Sequence, residues 1–226
     1  MADKLGILGF GKLGTVLGQL AVRAGYDVYI AGSGTPDKIA LTADILLPQA
    51  HLMLAKELLG QVDVVILAFP LGKYRTLDPL LFKNKIVIDA MNYWWETDGQ
   101  HPEFQDPVLS TSEMVQAHLN QSHVVKAFNH MGYHDLLDYA DQSDPKKAIA
   151  VAADDIPSRA VVAEIVKRLG FQPVILDSLA EGIKLESGTN VFGADFNRAE
   201  LLNAIDHYFE TDFGQEIFQN SRKHSF

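Results

Sequence analysis

The sequence predicts an α/β fold, a doubly wound and mostly parallel sheet with helices on both faces and a short C-terminal helical appendage. Three observations predict it. Short β-branched apolar runs recur, such as Val62 to Phe69 (V-D-V-V-I-L-A-F) and Lys85 to Ala90 (K-I-V-I-D-A). Runs of this kind are strands buried on both faces of a parallel sheet. Segments with helical periodicity alternate with them as far as Leu176, the pattern of repeated strand–helix–strand units. The chain also opens on a strand, a glycine turn and a helix in immediate succession.

That opening carries the chemistry. Leu5 to Leu8 is a short apolar run, followed by Gly9-Phe10-Gly11-Lys12-Leu13-Gly14, a complete G-x-G-x-x-G. Leu13, Val16, Leu17, Leu20, Ala21 and Ala24 then follow the 3.6-residue period, Gly25 stops the helix, and Tyr26 to Ala31 reads as the second strand. A Rossmann-type dinucleotide site needs this order. Gly9 permits the tight turn, Gly11 lets backbone N–H groups approach a pyrophosphate, and Gly14 lets helix and strand pack closely. The phosphates then meet the unpaired N–H groups and positive dipole end of the helix. The structural alternative is an ordinary glycine turn. Gly6, Gly11 and Lys12 also nearly spell a nucleoside-triphosphate loop. That reading fails because Leu13 stands where a hydroxyl would hold magnesium, and Gly6 lies inside the strand.

Composition bounds the rest. With 226 residues, 47% hydrophobic and 21% charged, the chain suits one large soluble globular domain. The expected division is a nucleotide-binding domain at 1–178 and a short helical segment, 179–226, packed on it. A net charge of −10 argues against nucleic acid and against anionic membranes as partners. The absence of cysteine excludes disulfides, thiolate metal sites and cysteine nucleophiles. Met1 runs almost directly into the first strand and no apolar run is long enough to span a bilayer, so no signal peptide and a cytoplasmic location are expected.

The loop after the second strand, Gly32-Ser33-Gly34-Thr35-Pro36-Asp37-Lys38, bears on the choice of cofactor. An NAD site usually places Asp or Glu here, and none is present. The loop therefore favours NADP, with NAD as the alternative. Ser33 and Thr35 offer hydroxyls, Gly34 gives access, and Lys38 offers charge. The structural alternative has Thr35 capping a helix begun by Pro36. Residues 36–60 read as two helical pieces broken near Pro48, the second with Leu52, Ala55, Leu58 and Leu59 on its apolar face. A thin strand is assigned near Ile45 to Leu47. Ala68, Phe69 and Pro70 end the Val62 strand beside the expected cofactor.

Asp89 and Asn92 follow the Lys85 strand at the ligand crevice. Asn92 suits a nicotinamide amide or ribose, or equally a turn cap. Trp94 and Trp95 suit an interface, a ligand cover or simple packing. Ser112 to Leu119 reads as a helix, His123 to Asn129 as a strand, and His130-Met131-Gly132-Tyr133-His134 leaves its end. The spacing of His130 and His134 permits a metal on a helix, but Gly132 and the lack of a third ligand disfavour it. His130 fits better as a wall of the site. Further on come a strand at 148–153, a helix at 157–169, a strand at 172–176 and a helix at 198–209. Asn197 and Glu200 form a capping box for that last helix, and the polar tail from 219 to 226 reads as loose.

Four blocks, G-F-G-K-L-G at Gly9, A-G-S at Ala31, V-V-K-A-F-N at Val124 and Lys184-Leu185-Glu186, together resemble the NADP-dependent oxidoreductases that use coenzyme F420, a deazaflavin. The NADPH domains of the STEAP ferric reductases are similar. The resemblance implies NADP along Gly9, Phe10, Gly11, Lys12, Leu13 and Ser33, and a flavin or deazaflavin as second substrate near Asn129, His130, Met131 and Gly132. It also implies a small-molecule redox acceptor and a homodimer. Two positions depart from the family pattern: Ser33-Gly34 replaces the usual Ser-Arg, and His130-Met131-Gly132 replaces a small polar residue, an aliphatic one and often proline. The rival readings are a nucleotide-sensing module without turnover and a reductase of a small carbonyl or quinone. A dehydrogenase with a long helical second domain does not fit the roughly 50 residues after Leu176.

Overall fold

A computed structural model of the chain describes residues 3–101, 104, 109–142, 144–212 and 214–216. Eight strands form one sheet in the order β3-β2-β1-β4-β5-β6-β7-β8. They are β1 (Lys4–Leu8), β2 (Asp27–Ala31), β3 (His51–Leu52), β4 (Val64–Leu67), β5 (Ile86–Asp89), β6 (His123–Lys126), β7 (Ala148–Ala152) and β8 (Gln172–Leu176). The first six follow the dinucleotide-binding order, with its switch point between β1 and β4. All neighbours pair in parallel except β6 and β7, which are antiparallel. The fold is thus the doubly wound, Rossmann-like sheet that the alternating runs predict.

Side-chain alternation along the strands builds a core on each face. On one face Leu5, Ile7, Val28, Ile30, Val64 and Ile66 pack with α1 (Lys12–Arg23), α6 (Tyr133–Tyr139) and α7 (Ile156–Arg168). The intervening residues, among them Val65, Leu67, Val87 and Val124, face α3 (Ala55–Leu59) and α5 (Thr111–His118). On that second face α8 (Arg198–Asp206) covers β7 and β8 through Leu201, Ala204 and Ile205. Two short helices are α2 (Ala40–Leu46) and α4 (Trp95–Asp98).

Helix α1 buries Val16, Leu17, Leu20 and Ala21, as its periodicity predicts, and the Asn197–Glu200 capping box of α8 is formed. Three segments differ from expectation. The third strand is His51–Leu52, not 45–47, which is the end of α2. The His51 Nε2 meets Asp27 Oδ1 at 2.8 Å, and Leu52 pairs with Ile30; the second helical piece therefore shrinks to α3. Strand β6 stops at Lys126 because Phe128 turns to φ +64°, a left-handed conformation costly for a bulky side chain. Helix α8 ends at Asp206, and a 3₁₀ turn, Tyr208–Glu210, follows it. The polar tail from 219 lies outside the described residues.

Candidate functional site

The strand–turn–helix at Gly9 sits at the switch point. Gly9 N donates to Ala31 O and Ala68 N donates to Leu8 O, both at 2.8 Å, which ties the glycine turn to the ends of β2 and β4. Gly9 has φ +119°, and a Cβ there would collide with Ala68 O. A Cβ on Gly14 would collide with Gly9 O. These two glycines are demanded by the protein itself. Gly11 is different: a Cβ there would meet nothing within 4 Å, so the protein leaves open the space beside it.

That space belongs to a cavity of about 450 Å³. Gly9, Phe10 and Gly11 form its floor. Ala31, Gly32 and Ser33 form one wall, from the end of β2, and Ala68, Phe69 and Pro70 form the other, from the end of β4. Lys73, Thr76 and Leu77, from the turn after β4, continue the second wall. The chain has 29 carboxylates, but among the described lining residues there is none, and Lys73 is the one charged side chain. Sequence reasoning missed Lys73, whose only signal is its place three residues beyond Pro70.

Helix α1 begins at this floor. Its N-cap is Gly11, with no side-chain cap and no acid in the first turn. Among the described residues the other helices of eight or more residues are capped, by Ser110, Asp155 and Asn197. The start of α1 thus keeps unpaired N–H groups and a positive dipole end beside an open cavity, a ready anion site. The Gly11 space and these donors fit a dinucleotide's pyrophosphate. Lys12, Leu13 and Gly14 are the first residues of α1, and Lys12 Nζ lies 5.3 Å from the Tyr133 ring centre. Gly34 and Thr35 lie past Ser33 and outside the cavity lining. Thr35 makes no side-chain cap to the 3₁₀ turn Pro36–Lys38, and the Lys38 side chain folds back over Gly34.

Asn92, Asn129, His130 and Met131 gather elsewhere, at the ends of β5 and β6. Asn92 Nδ2 donates to Asn129 O at 2.8 Å. Asn129 Nδ2 donates to Asn92 Oδ1 at 3.1 Å and to Leu185 O at 2.7 Å. His130 is buried, and its Nε2 accepts from Ala150 N at 3.0 Å. The proton therefore sits on Nδ1, which has no partner among the described residues. Burial lowers the His130 pKa to about 4, so the ring is neutral at pH 7. Met131 is buried. Among the described residues no group of three or more metal-ligating side chains is placed to hold an ion.

Beneath these residues lies a charged network that sequence reasoning did not anticipate. Lys126 and Asp89 are both fully buried and meet at 3.4 Å. Lys126 Nζ also donates to Met91 O and Thr111 Oγ1, each at 3.2 Å. Asp89 accepts from Ser112 Oγ at 2.6 Å and Met91 N at 2.9 Å, so its carboxylate faces the interior and not the crevice. Thr111 N and Oγ1 both donate to Glu186 Oε1, at 2.7 and 2.9 Å. Glu186 is partly buried as a residue and its carboxyl is desolvated, which raises its pKa against the pull of Lys126. The network pins the chain at Met91, the start of α5 and the segment at Glu186 to one another. Trp94 and Trp95 are exposed, and Trp94 packs edge-on against Phe192 at 5.5 Å.

Residues 4–93, which carry the glycine turn and both cavity walls, match the family described as NADP oxidoreductase coenzyme F420-dependent. Metalloreductase STEAP3 of Rattus norvegicus is 27% identical over 188 residues, covering 82% of this chain and 36% of that protein. Human metalloreductase STEAP2 is also 27% identical, over 81% of this chain and 35% of that protein. The chain spans about a third of the length of these curated relatives. A crystal structure of a hypothetical protein of Sinorhizobium meliloti superposes with a TM-score of 0.77 at 25% identity, covering 86% of this chain and 95% of that one. A putative F420-dependent NADP reductase of Arthrobacter superposes with a TM-score of 0.63 at 24% identity, covering 76% and 82%.

Proposed function

We propose that this chain, a member of a family of NADP oxidoreductases like the coenzyme F420-dependent ones and distantly related to the STEAP metalloreductases, binds NADP(H) in the Gly9–Gly11 crevice and passes hydride to a flavin- or deazaflavin-like acceptor. The observation that carries the reading is the pairing of the open space at Gly11 with the uncapped start of α1. Nothing in the protein requires glycine at residue 11, whereas a pyrophosphate lying against the turn does. NADPH, when bound, supplies the hydride; the protein supplies position and a dry, shaped site.

The roles of the residues follow from their chemistry. The first N–H groups of α1, from Lys12 and Leu13, face the pyrophosphate charge. Ser33 offers a hydroxyl to the adenosine ribose side, and among the described lining residues no carboxylate stands by to repel a 2′-phosphate. Phe69 and Pro70 exclude water along the β4 wall. Asn92, half-buried at the end of β5, is the residue nearest the surface for the nicotinamide end; the buried Asn129 positions it, and the neutral His130 holds the turn after β6 through Ala150 N. Hydride transfer between two rings needs alignment more than acid–base help, which suits a crevice of backbone and apolar groups.

The test is turnover. The chain is mixed with NADPH and in turn with F420, FMN, FAD or a quinone, and loss of the reduced-nicotinamide absorbance is followed. Oxidation that saturates with F420 or a flavin supports the reading. Saturation with the quinone alone replaces the acceptor, and tight binding without turnover makes the protein a nucleotide-sensing module.

A further inference from the structure

We infer that Lys73, not the loop after β2, supplies the positive charge that recognises the 2′-phosphate of NADP(H). The inference rests on the dinucleotide reading of the crevice and adds the residue that sets its cofactor preference. The expected arrangement puts a basic side chain immediately after β2, facing the ribose. Here that position holds Gly34, and the nearest basic residue, Lys38, lies against Gly34 and outside the cavity lining. Lys73 comes from the opposite side. It sits in the 3₁₀ turn Leu71–Thr76 and lines the same cavity as Ser33.

Three features suit Lys73 to this task. It has no ion-pair partner among the described residues, so no carboxylate must be displaced when a phosphate binds. The turn that carries it is anchored: Leu71 and Tyr74 are buried, and Thr76 Oγ1 donates to Lys73 O at 2.7 Å. Finally, the surroundings amplify its charge. On a chain of net charge −10, a cavity with one cation and no anion among its described lining residues is a local positive well, and low-dielectric walls concentrate its field. Ser33 across the cavity adds a hydroxyl donor. A phosphate held between a lysine on one wall and a hydroxyl on the other needs no arginine, because lysine binds phosphate as a point charge.

The experiment is calorimetric titration of the full chain with 2′,5′-ADP, which carries the 2′-phosphate, and with 5′-AMP, which lacks it. Wild type, Lys73→Gln, Lys73→Arg and Lys38→Gln are compared at one salt concentration. Lys73 is exposed, so its replacement leaves the fold intact. The expected result is a tenfold or larger loss of 2′,5′-ADP affinity in Lys73→Gln, with 5′-AMP within twofold of wild type. Lys73→Arg keeps the preference and Lys38→Gln leaves it unchanged. Equal losses for both ligands would show that Lys73 touches the adenine end without reading the phosphate. A loss confined to Lys38→Gln would return the task to the β2 loop. Either result overturns the inference while the dinucleotide site stands. Failure of wild type to bind either ligand overturns both.

Discussion

Two places along the same edge of the sheet handle polarity in opposite ways. Over β1, β2 and β4 the chain offers backbone N–H groups, a small hydroxyl and apolar walls, and leaves them open. Over β5 and β6 it buries a charged pair, Lys126 with Asp89, and satisfies the neighbouring Glu186 carboxyl through the Thr111 hydroxyl. The second place holds more charged side chains, yet it is closed. A lysine with a carboxylate, a carbonyl and a hydroxyl around it has its needs met by the protein. A helix start with no cap and a glycine with nothing beside it do not. Unmet hydrogen-bonding capacity beside open space, more than charge as such, is what points to a ligand.

The largest expected effect breaks the closed region. Lys126→Met leaves Asp89 buried without its cation and is expected to cost about 3–5 kcal/mol, as loss of one partner of a buried pair does. Urea unfolding reads this directly, and a loss below about 1 kcal/mol would mean that water reaches Asp89. Next comes His130. In the folded chain its pKa lies near 4, and in the unfolded chain near 6.5. Below about pH 6.5 the unfolded chain takes up a proton that the folded chain refuses. Stability from the neutral ring is therefore complete above that pH and falls as pH drops to about 4, by about 3 kcal/mol in all. Unfolding measured from pH 7 to pH 4 checks it against His130→Gln; parallel profiles for the two proteins would contradict it.

The glycines sharpen the comparison. Gly9→Ala forces a side chain into Ala68 O at φ +119° and is expected to cost about 1–3 kcal/mol of stability or more. Gly11→Ala is expected to change stability by less than about 0.5 kcal/mol and to weaken NADPH binding. If both variants lose the same stability, Gly11 is a structural glycine. The smallest effect belongs to Ser33→Ala, with loss of one hydrogen bond, about 1 kcal/mol, from NADPH binding. NADH binding should be nearly unchanged; an equal loss for both would place Ser33 against a part common to the two cofactors.

Much of the fold was legible because burial writes a period into the chain. Strands β1, β2, β4, β5, β7 and β8, and helices α1 and α7, stand within a residue or two of the runs that predict them. The misses share a physical origin. Strand β3 is two residues long at the sheet edge, too short to carry a pattern. Strand β6 ends early through a left-handed Phe128, a conformation that only tertiary packing imposes. The antiparallel seam between β6 and β7 depends on strand direction, which an apolar run does not encode.

The candidate site was legible where backbone makes it and obscure where side chains do. Gly9, Phe10, Gly11, Ser33, Ala68, Phe69 and Pro70 come together around one cavity because a glycine motif and strand ends fix their places. Lys73 gave no such signal, since an exposed lysine in a turn looks like any other. Asp89 and Lys126 lie 37 residues apart and look like strand ends until the sheet pairs them.

The most direct measurement is a calorimetric titration of NADPH into wild type and Gly11→Val, with thermal unfolding of both recorded alongside. The account predicts that wild type binds, that Gly11→Val binds at least tenfold more weakly, about 1.4 kcal/mol, and that both unfold at similar temperatures. Equal NADPH affinity in a folded Gly11→Val, or no binding by wild type, would contradict the placement of the dinucleotide at this turn.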